Sequence, residues 1–185
     1  MIMIQNLEKL WRLTGNERSQ FQDSENFHFD PVGLILFRDI ENMGYWCTPE
    51  NSVTFATTGG DGVHFGFITT DGQVNENSPI VMTLPCADTS NIIVGENFQE
   101  FLSLGCRNGY FELEQIEYQP QNQIPALDSH LYSSDMEQNE VELLKSIENE
   151  FNLKVWPNHA ARLAELKLKY FASLQYSDEY HELTT

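Results

Sequence analysis

Thr58-Gly59-Gly60-Asp61-Gly62-Val63-His64-Phe65-Gly66-Phe67 is a glycine-rich turn that runs directly into an alternating apolar strand. Asp61-Gly62 is a favoured central pair for a tight β-hairpin, because glycine and aspartate tolerate the positive φ that such turns demand. In the strand that follows, Val63, Phe65 and Phe67 share one face, which reads as the core face, while His64, Gly66 and Ile68 share the other. Glycine-rich turns also aim backbone amides at phosphate, so that reading needs testing. It fails here: no Lys or Ser/Thr follows as in a P-loop, Asp61 puts a negative charge in the turn, and a strand rather than a helix comes next.

Working outward, residues 52–57, 63–69, 80–84 and 91–94 are short, rich in β-branched or aromatic residues, and bounded by turn signals such as Asp71-Gly72. Short connections favour neighbouring antiparallel hairpins. Ile4, Leu7, Leu10, Trp11 and Thr14 predict an opening helix, followed by a polar loop over 15–26. Asp30-Pro31 predicts a second helix start, carrying Leu34, Ile35, Phe37, Ile40 and Met43 and ended by Gly44. Phe98, Phe101, Leu102 and Gly105 recur at helical spacing, with Asn108-Gly109 as a stop. Residues 110–118 suit a helix or a further strand, and 119–134 a proline-containing loop. Ser134 with Glu137 predicts a capping box opening a helix to about Phe151, broken at Pro157-Asn158 before a last helix over 159–174.

The expected fold is α+β: a central antiparallel sheet of about four to six strands, flanked by N-terminal and C-terminal helices. The 185 residues suit a single domain, 1–185, with a core over about 30–118 and a C-terminal helical extension over about 134–176. A chain of this length can bury roughly 70% of its unfolded surface. Its 41% hydrophobic and 21% charged residues are ordinary for a folded protein. No apolar run reaches the ~20 residues needed to cross a bilayer, and the start lacks a basic region and a long apolar core, so a cytoplasmic protein without membrane insertion is expected. Cys47, Cys86 and Cys106 are widely spaced without a Cys-x-x-Cys pair, and read as reduced, buried thiols.

Charge narrows the partners. There are 28 acidic against 10 basic residues, a net charge of −18, and from Asp39 to Ser134 there are 13 carboxylates against a single base, Arg107. Such a field repels phosphate backbones and attracts basic proteins. Direct nucleic-acid binding is therefore not expected; a basic protein partner is.

Candidate chemistry is sparse. Asp61, His64 and Asp71 do not stand at the spacings of dedicated metal motifs, and a lone strand histidine beside a turn is more often structural than a ligand, so no metal or cofactor is assigned. Cys86 or Cys106 with His64 and Asp61 could be grouped as a nucleophile and base. Cys106 falls at a helix end, however, where the dipole disfavours a thiolate, and there is no Gly-x-Ser-x-Gly elbow. No catalytic residue is assigned. The aromatics Phe55, Phe65, Phe67, Phe98, Phe101, Tyr110 and Phe111 are read first as core. Trp46, between a presumed helix end and Pro49, is read as half exposed, either an interface anchor or a cover for the core edge. Tyr45 and Trp46, ringed by Asp61, His64, Asp71 and Glu76, form the candidate partner-binding set.

Residues 55–67, then Pro79-Ile80-Val81-Met82-Thr83-Leu84-Pro85, then Val94-Gly95-Glu96-Asn97-Phe98-Gln99-Glu100-Phe101-Leu102-Ser103-Leu104-Gly105-Cys106, resemble in order and spacing a bacterial branch of the SUKH superfamily. That group contains fungal regulators of cell-wall synthesis and immunity proteins of bacterial toxin systems. The resemblance covers about residues 45–118. It implies an α+β fold with a central antiparallel sheet and non-catalytic protein binding. The group's early Leu-Pro and Asn-Gly-Gly signature has only distant counterparts, Asp30-Pro31 and Met43-Gly44, and no catalytic or ligand residue carries over. The leading expectation is an immunity-type protein that neutralises a basic, nuclease-like toxin domain. A regulatory or scaffold protein in cell-envelope or signalling pathways is the alternative, and a Cys/His-dependent enzyme the third.

Overall fold

Five strands follow one another in a single antiparallel meander: β1 (Ile35–Glu41), β2 (Ser52–Thr57), β3 (His64–Ile68), β4 (Ile80–Thr83) and β5 (Asn91–Gly95). The structure is a computed structural model that describes residues 4–15, 27–70 and 72–184. Its helices are α1 (Gln5–Arg12), α2 (Phe98–Gly105), α3 (Gln115–Tyr118), α4 (Pro120–Leu127), α5 (Gln138–Phe151), α6 (His159–Tyr170) and α7 (Asp178–Leu183). This is the expected α+β fold with helices at both ends of the chain. The polar stretch expected as a loop after α1 lies, from residue 16 to 26, outside the described residues.

The hairpin joining β2 to β3 turns as its sequence dictates. Asp61 (φ 48°) and Gly62 (φ 72°) are consecutive left-handed residues, and the Val63 amide donates to the Gly60 carbonyl at 2.9 Å. Two positive-φ centres are the mark of a primed turn, whose twist matches that of the flanking strands.

Residues 30–43 do not form the predicted helix. Asp30–Val32 is one 3-10 turn with Pro31 in its first positions, and Gly33 closes it at φ 75°, its N–H bonded to the Asp30 carbonyl at 2.8 Å. A Cβ at Gly33 would lie 2.3 Å from the Phe111 nitrogen, so only glycine lets these two segments meet. Beyond it the chain pairs with β2, Ile35 opposite Thr57 and Leu36 opposite Ala56. The apolar spacing suited either period, and the open edge of β2 decided for a strand.

The C-terminal half also departs from expectation in places. Residues 110–118 are helical, a 3-10 turn (Phe111–Glu114) running into α3. The expected loop over 119–134 contains α4, which starts on Pro120, a residue well placed in a first turn, carries Pro125 inside, and buries Gln123 and Leu127. The capping box of α5 is Glu137 with Glu140, not Ser134 with Glu137. That helix ends at left-handed Asn152 (φ 50°), ahead of Pro157, and Asn158 instead caps α6 by accepting from the Ala161 amide at 2.9 Å. The short α7, capped by Ser177, has no counterpart in the sequence reading.

One face of the sheet carries the core. Phe55 packs on Phe67 (ring centroids 4.7 Å apart) and Phe65 on Phe101 of α2 (4.9 Å), while Phe98 reaches Phe151 of α5 (6.3 Å). Each such pair adds about 0.5–1.5 kcal/mol beyond its buried area. Leu7, Leu10 and Trp11 bring α1 into the same core.

The opposite face is polar yet also buried, and here His64 differs from expectation. The sequence places it away from the core, but every residue of β3 is buried. Residues 42–51 fold over that face, held by the Asn42 amide, which donates to the carbonyls of Pro49 (2.8 Å) and Ser52 (3.1 Å). The C-terminal segment locks the loop in turn: the Glu50 amide donates to the Gln175 carbonyl at 2.7 Å and Asn51 Nδ2 to the Ser173 carbonyl at 2.9 Å. Beneath, Thr83 Oγ1 donates to Asn91 Oδ1 (2.8 Å) and Asn91 Nδ2 to the Cys47 carbonyl (2.9 Å). Buried polar groups paired in this way avoid the desolvation cost that would otherwise expel them.

Candidate functional site

The Gly59–Gly62 turn projects from the sheet, and two aromatic rings lie over it. A Cβ placed on Gly60 would meet the Phe111 ring at 3.2 Å, and one on Gly62 would meet the Tyr45 ring at 3.0 Å. Glycine is what lets both rings approach the backbone so closely. Both rings keep a large open surface, Tyr45 being 40% exposed and Phe111 48%, and Tyr118 of α3, 45% exposed, lies close enough to feel the Asp61 charge. Exposed aromatics grouped around one rigid turn are unusual on a protein surface and typical of binding anchors.

Carboxylates surround these rings. Asp61 is exposed at the tip of the turn. Burial raises the Glu114 carboxyl above its usual range, and the nearby charges of Asp61 and Glu112 push it further in the same direction. The Tyr118 phenol is likewise raised, by burial first and then by Glu114, Cys86, Asp61 and Glu117. Like charges that perturb one another mark a concentrated negative field, which an approaching cation relieves.

Several bases elsewhere are already engaged. Arg107, the lone base of residues 39–134, makes a bidentate pair with Glu148 at 2.5 and 2.6 Å. Arg162 joins Glu96, Glu100 and Glu165, each at 2.7 Å, and Lys169 also binds Glu96. Several carboxylates counted in the sequence are therefore structural: Glu96 and Glu100 hold α6, and Asp128 accepts from both the backbone and the ring of His159. Asp61 and Glu112 enter no such pair among the described residues.

Of the partner-binding set read from sequence, Tyr45 and Asp61 are brought together at the turn. His64 is not presented to a partner. Its ring stacks beneath Tyr45 (5.5 Å), Nδ1 faces the Gly62 carbonyl at 2.7 Å, and Nε2 faces Thr48 Oγ1 at 3.1 Å. A carbonyl can only accept, so Nδ1 carries the proton and Nε2 accepts from Thr48. Trp46 follows a strand rather than a helix and is half-buried as expected, but its ring stacks on Tyr180 of α7 (5.8 Å), so the chain's own tail covers it. Glu76 is drawn to the start of α1, where Oε1 accepts from the Asn6 amide at 3.3 Å and its charge suits the helix N-terminus. Asp71 lies outside the described residues.

Sequence reasoning missed Phe111, Glu112, Glu114 and Tyr118. The sequence places Phe111 in the core, whereas Leu113 and Ile116 take the buried positions of that segment. The available signal was the density of acids, Glu112, Glu114 and Glu117, interleaved with Phe111 and Tyr118. Such a run cannot bury all its sides.

The cysteines are not uniformly buried: Cys47 and Cys106 are, while Cys86 is exposed, its Sγ 4.0 Å from the Asp61 carbonyl. Burial pushes the thiols of Cys47 and Cys106 up to about 11. Among the described residues no three His, Cys, Asp or Glu side chains gather as a metal ion would require, and no helix is long and apolar enough to cross a membrane. Comparisons with protein-family models, curated proteins and solved structures each find no match.

Proposed function

We propose that the chain is a non-catalytic protein-binding module of the immunity type, which neutralises a basic, nuclease-like toxin domain by placing carboxylates where nucleic acid would otherwise sit. The observation that carries this reading is the surface around the hairpin turn, where Tyr45, Phe111 and Tyr118 stand exposed among Asp61, Glu112 and Glu114. Apolar rings supply anchors and carboxylates supply steering, the division of labour expected where a basic partner must be captured quickly. The likeness of residues 45–118 to the SUKH superfamily supports the same reading at the level of scaffold. Both His64 nitrogens are occupied and two of the three thiols are buried, which favours binding over catalysis. A cytoplasmic site of action fits a protein that meets its toxin before release.

Co-expression with the toxic product of the adjacent gene tests the reading. Restored growth supports it; unrelieved toxicity, or neighbouring genes that encode no toxin, removes it. The second reading, a regulatory or scaffold protein whose acidity only keeps it soluble, is favoured by the self-covered Trp46. It calls for a partner complex whose formation is insensitive to salt.

A further inference from the structure

Phe111 also lines a cleft of about 740 Å³. Its size is that of a ligand site rather than a packing defect. One wall is the 3-10 turn at Pro31 together with Phe111, another is α4, and the third is the segment from Ser129 to Met136 leading into α5. That third wall is built rather than incidental. Arg107, already clamped to Glu148, donates to the Tyr132 hydroxyl at 3.0 Å and the His130 carbonyl at 3.3 Å, and its guanidinium lies 4.6 Å from the centre of the Tyr132 ring.

Three features of the lining define an occupant. Gln123 is only 8% exposed, and its amide nitrogen is buried without an acceptor among the described residues. An amide left in that state gains from any ligand carbonyl that meets it, and a half-turn of the group exchanges its donor and acceptor ends. Glu112, Asp135 and Glu140 line the cleft, although Glu140 is partly committed to the cap of α5, and among the described residues no Lys or Arg lines it. Leu131 and Met136 offer apolar surface, with Leu131 among the most open apolar side chains of the molecule.

We infer that this cleft receives an extended cationic polypeptide segment, an apolar side chain seated against Phe111, Leu131 and Met136, a basic residue beside Glu112 and Asp135, and a backbone carbonyl on Gln123. The inference rests on the reading of the chain as a binder of basic protein and extends it. Phe111 touches the turn with one part of its ring and lines the cleft, so a partner seated on the turn reaches the cleft across a shared residue.

Titration of ¹⁵N-labelled protein with the peptide acetyl-Lys-Leu-Lys-Leu-Lys-amide, against its Glu-Leu counterpart, tests this by NMR. The lysine peptide should shift the Gln123 side-chain amide and the Leu131 and Met136 resonances saturably, and the glutamate peptide should not. Gln123→Met should weaken the lysine peptide at least tenfold. Leu131→Lys, an exposed change that does not threaten folding, should do the same. Unmoved cleft resonances, or variants that bind the lysine peptide as tightly as wild type does, would overturn the inference. Resonances of Gly60 and Asp61 keep the two ideas apart: shifts at the turn alone leave the proposed function standing and remove the cleft, shifts at the cleft alone do the reverse, and shifts at neither remove both.

Discussion

His64 and Thr48 meet beneath the loop that covers the sheet, Nε2 to Oγ1 at 3.1 Å, with the other ring nitrogen 2.7 Å from the Gly62 carbonyl. One imidazole thus ties the cover loop to the turn that carries the candidate site. His64→Ala leaves the Thr48 hydroxyl and the Gly62 carbonyl without their partner and removes the ring under Tyr45. A loss of about 1–3 kcal/mol in urea unfolding is expected. Partner affinity of the folded fraction should change little, since the ring itself is buried.

Stability should also fall in mild acid. Burial lowers the proton affinity of His64 and of His159, the latter despite the raising effect of Asp128. The folded state then binds fewer protons than the unfolded one, so the contribution of these rings is complete above the ordinary histidine value of about 6.5 and is lost as pH falls below it. Urea midpoints at pH 7.5 and pH 5.5 should differ, the lower pH giving the lower midpoint. A His64→Gln/His159→Gln double variant should flatten that difference.

A separate acid transition belongs to Glu96. Hydrogen bonds from Lys169, then Tyr170 and Arg162, hold its carboxyl down at about 2, against an ordinary 4.5. Its stabilisation is therefore full above about 4.5 and disappears as pH falls toward about 2. Glu96→Gln unfastens α6 from the end of β5, with an expected cost of about 1–3 kcal/mol at pH 7. Hydrogen exchange should speed up in α6 before it does in β2 or β3.

At the turn, charge and backbone can be separated. Asp61 sits at φ 48°, where asparagine is tolerated and a β-branched residue is not. Asp61→Asn should leave thermal stability within about 0.5 kcal/mol, as an exposed polar change does. Asp61→Val should cost about 1–2 kcal/mol. Only the first is a fair probe of partner binding.

Much of the fold was legible because local chemistry was unambiguous: Asp61-Gly62 specified its turn, and Phe98, Phe101 and Leu102 specified α2. What was not legible depended on pairing across distance. Ile35 and Phe37 suit a helix or a strand, and the choice falls to β2, which offers them a ladder. His64 reads as lying away from the core, because nothing nearby in sequence announces that residues 42–51 will cover it together with Thr83 and Asn91. The candidate site was half legible for the same reason. Tyr45 and Asp61 lie near one another in the chain, but Phe111, Glu112 and Glu114 arrive from about fifty residues further on, through the contact that Gly33 permits with Phe111.

The most direct test of the acidic turn surface is the association rate constant with the product of the adjacent gene, measured by stopped flow at 0.05 and 0.5 M NaCl. Wild type is compared with the Asp61→Asn/Glu112→Gln/Glu114→Gln variant. Steering by this surface requires that the wild-type rate fall by ~10-fold or more at the higher salt, and that the triple variant be slow at both and nearly insensitive to salt. Rates that are equal in the two proteins, or unchanged by salt in the wild type, would contradict it.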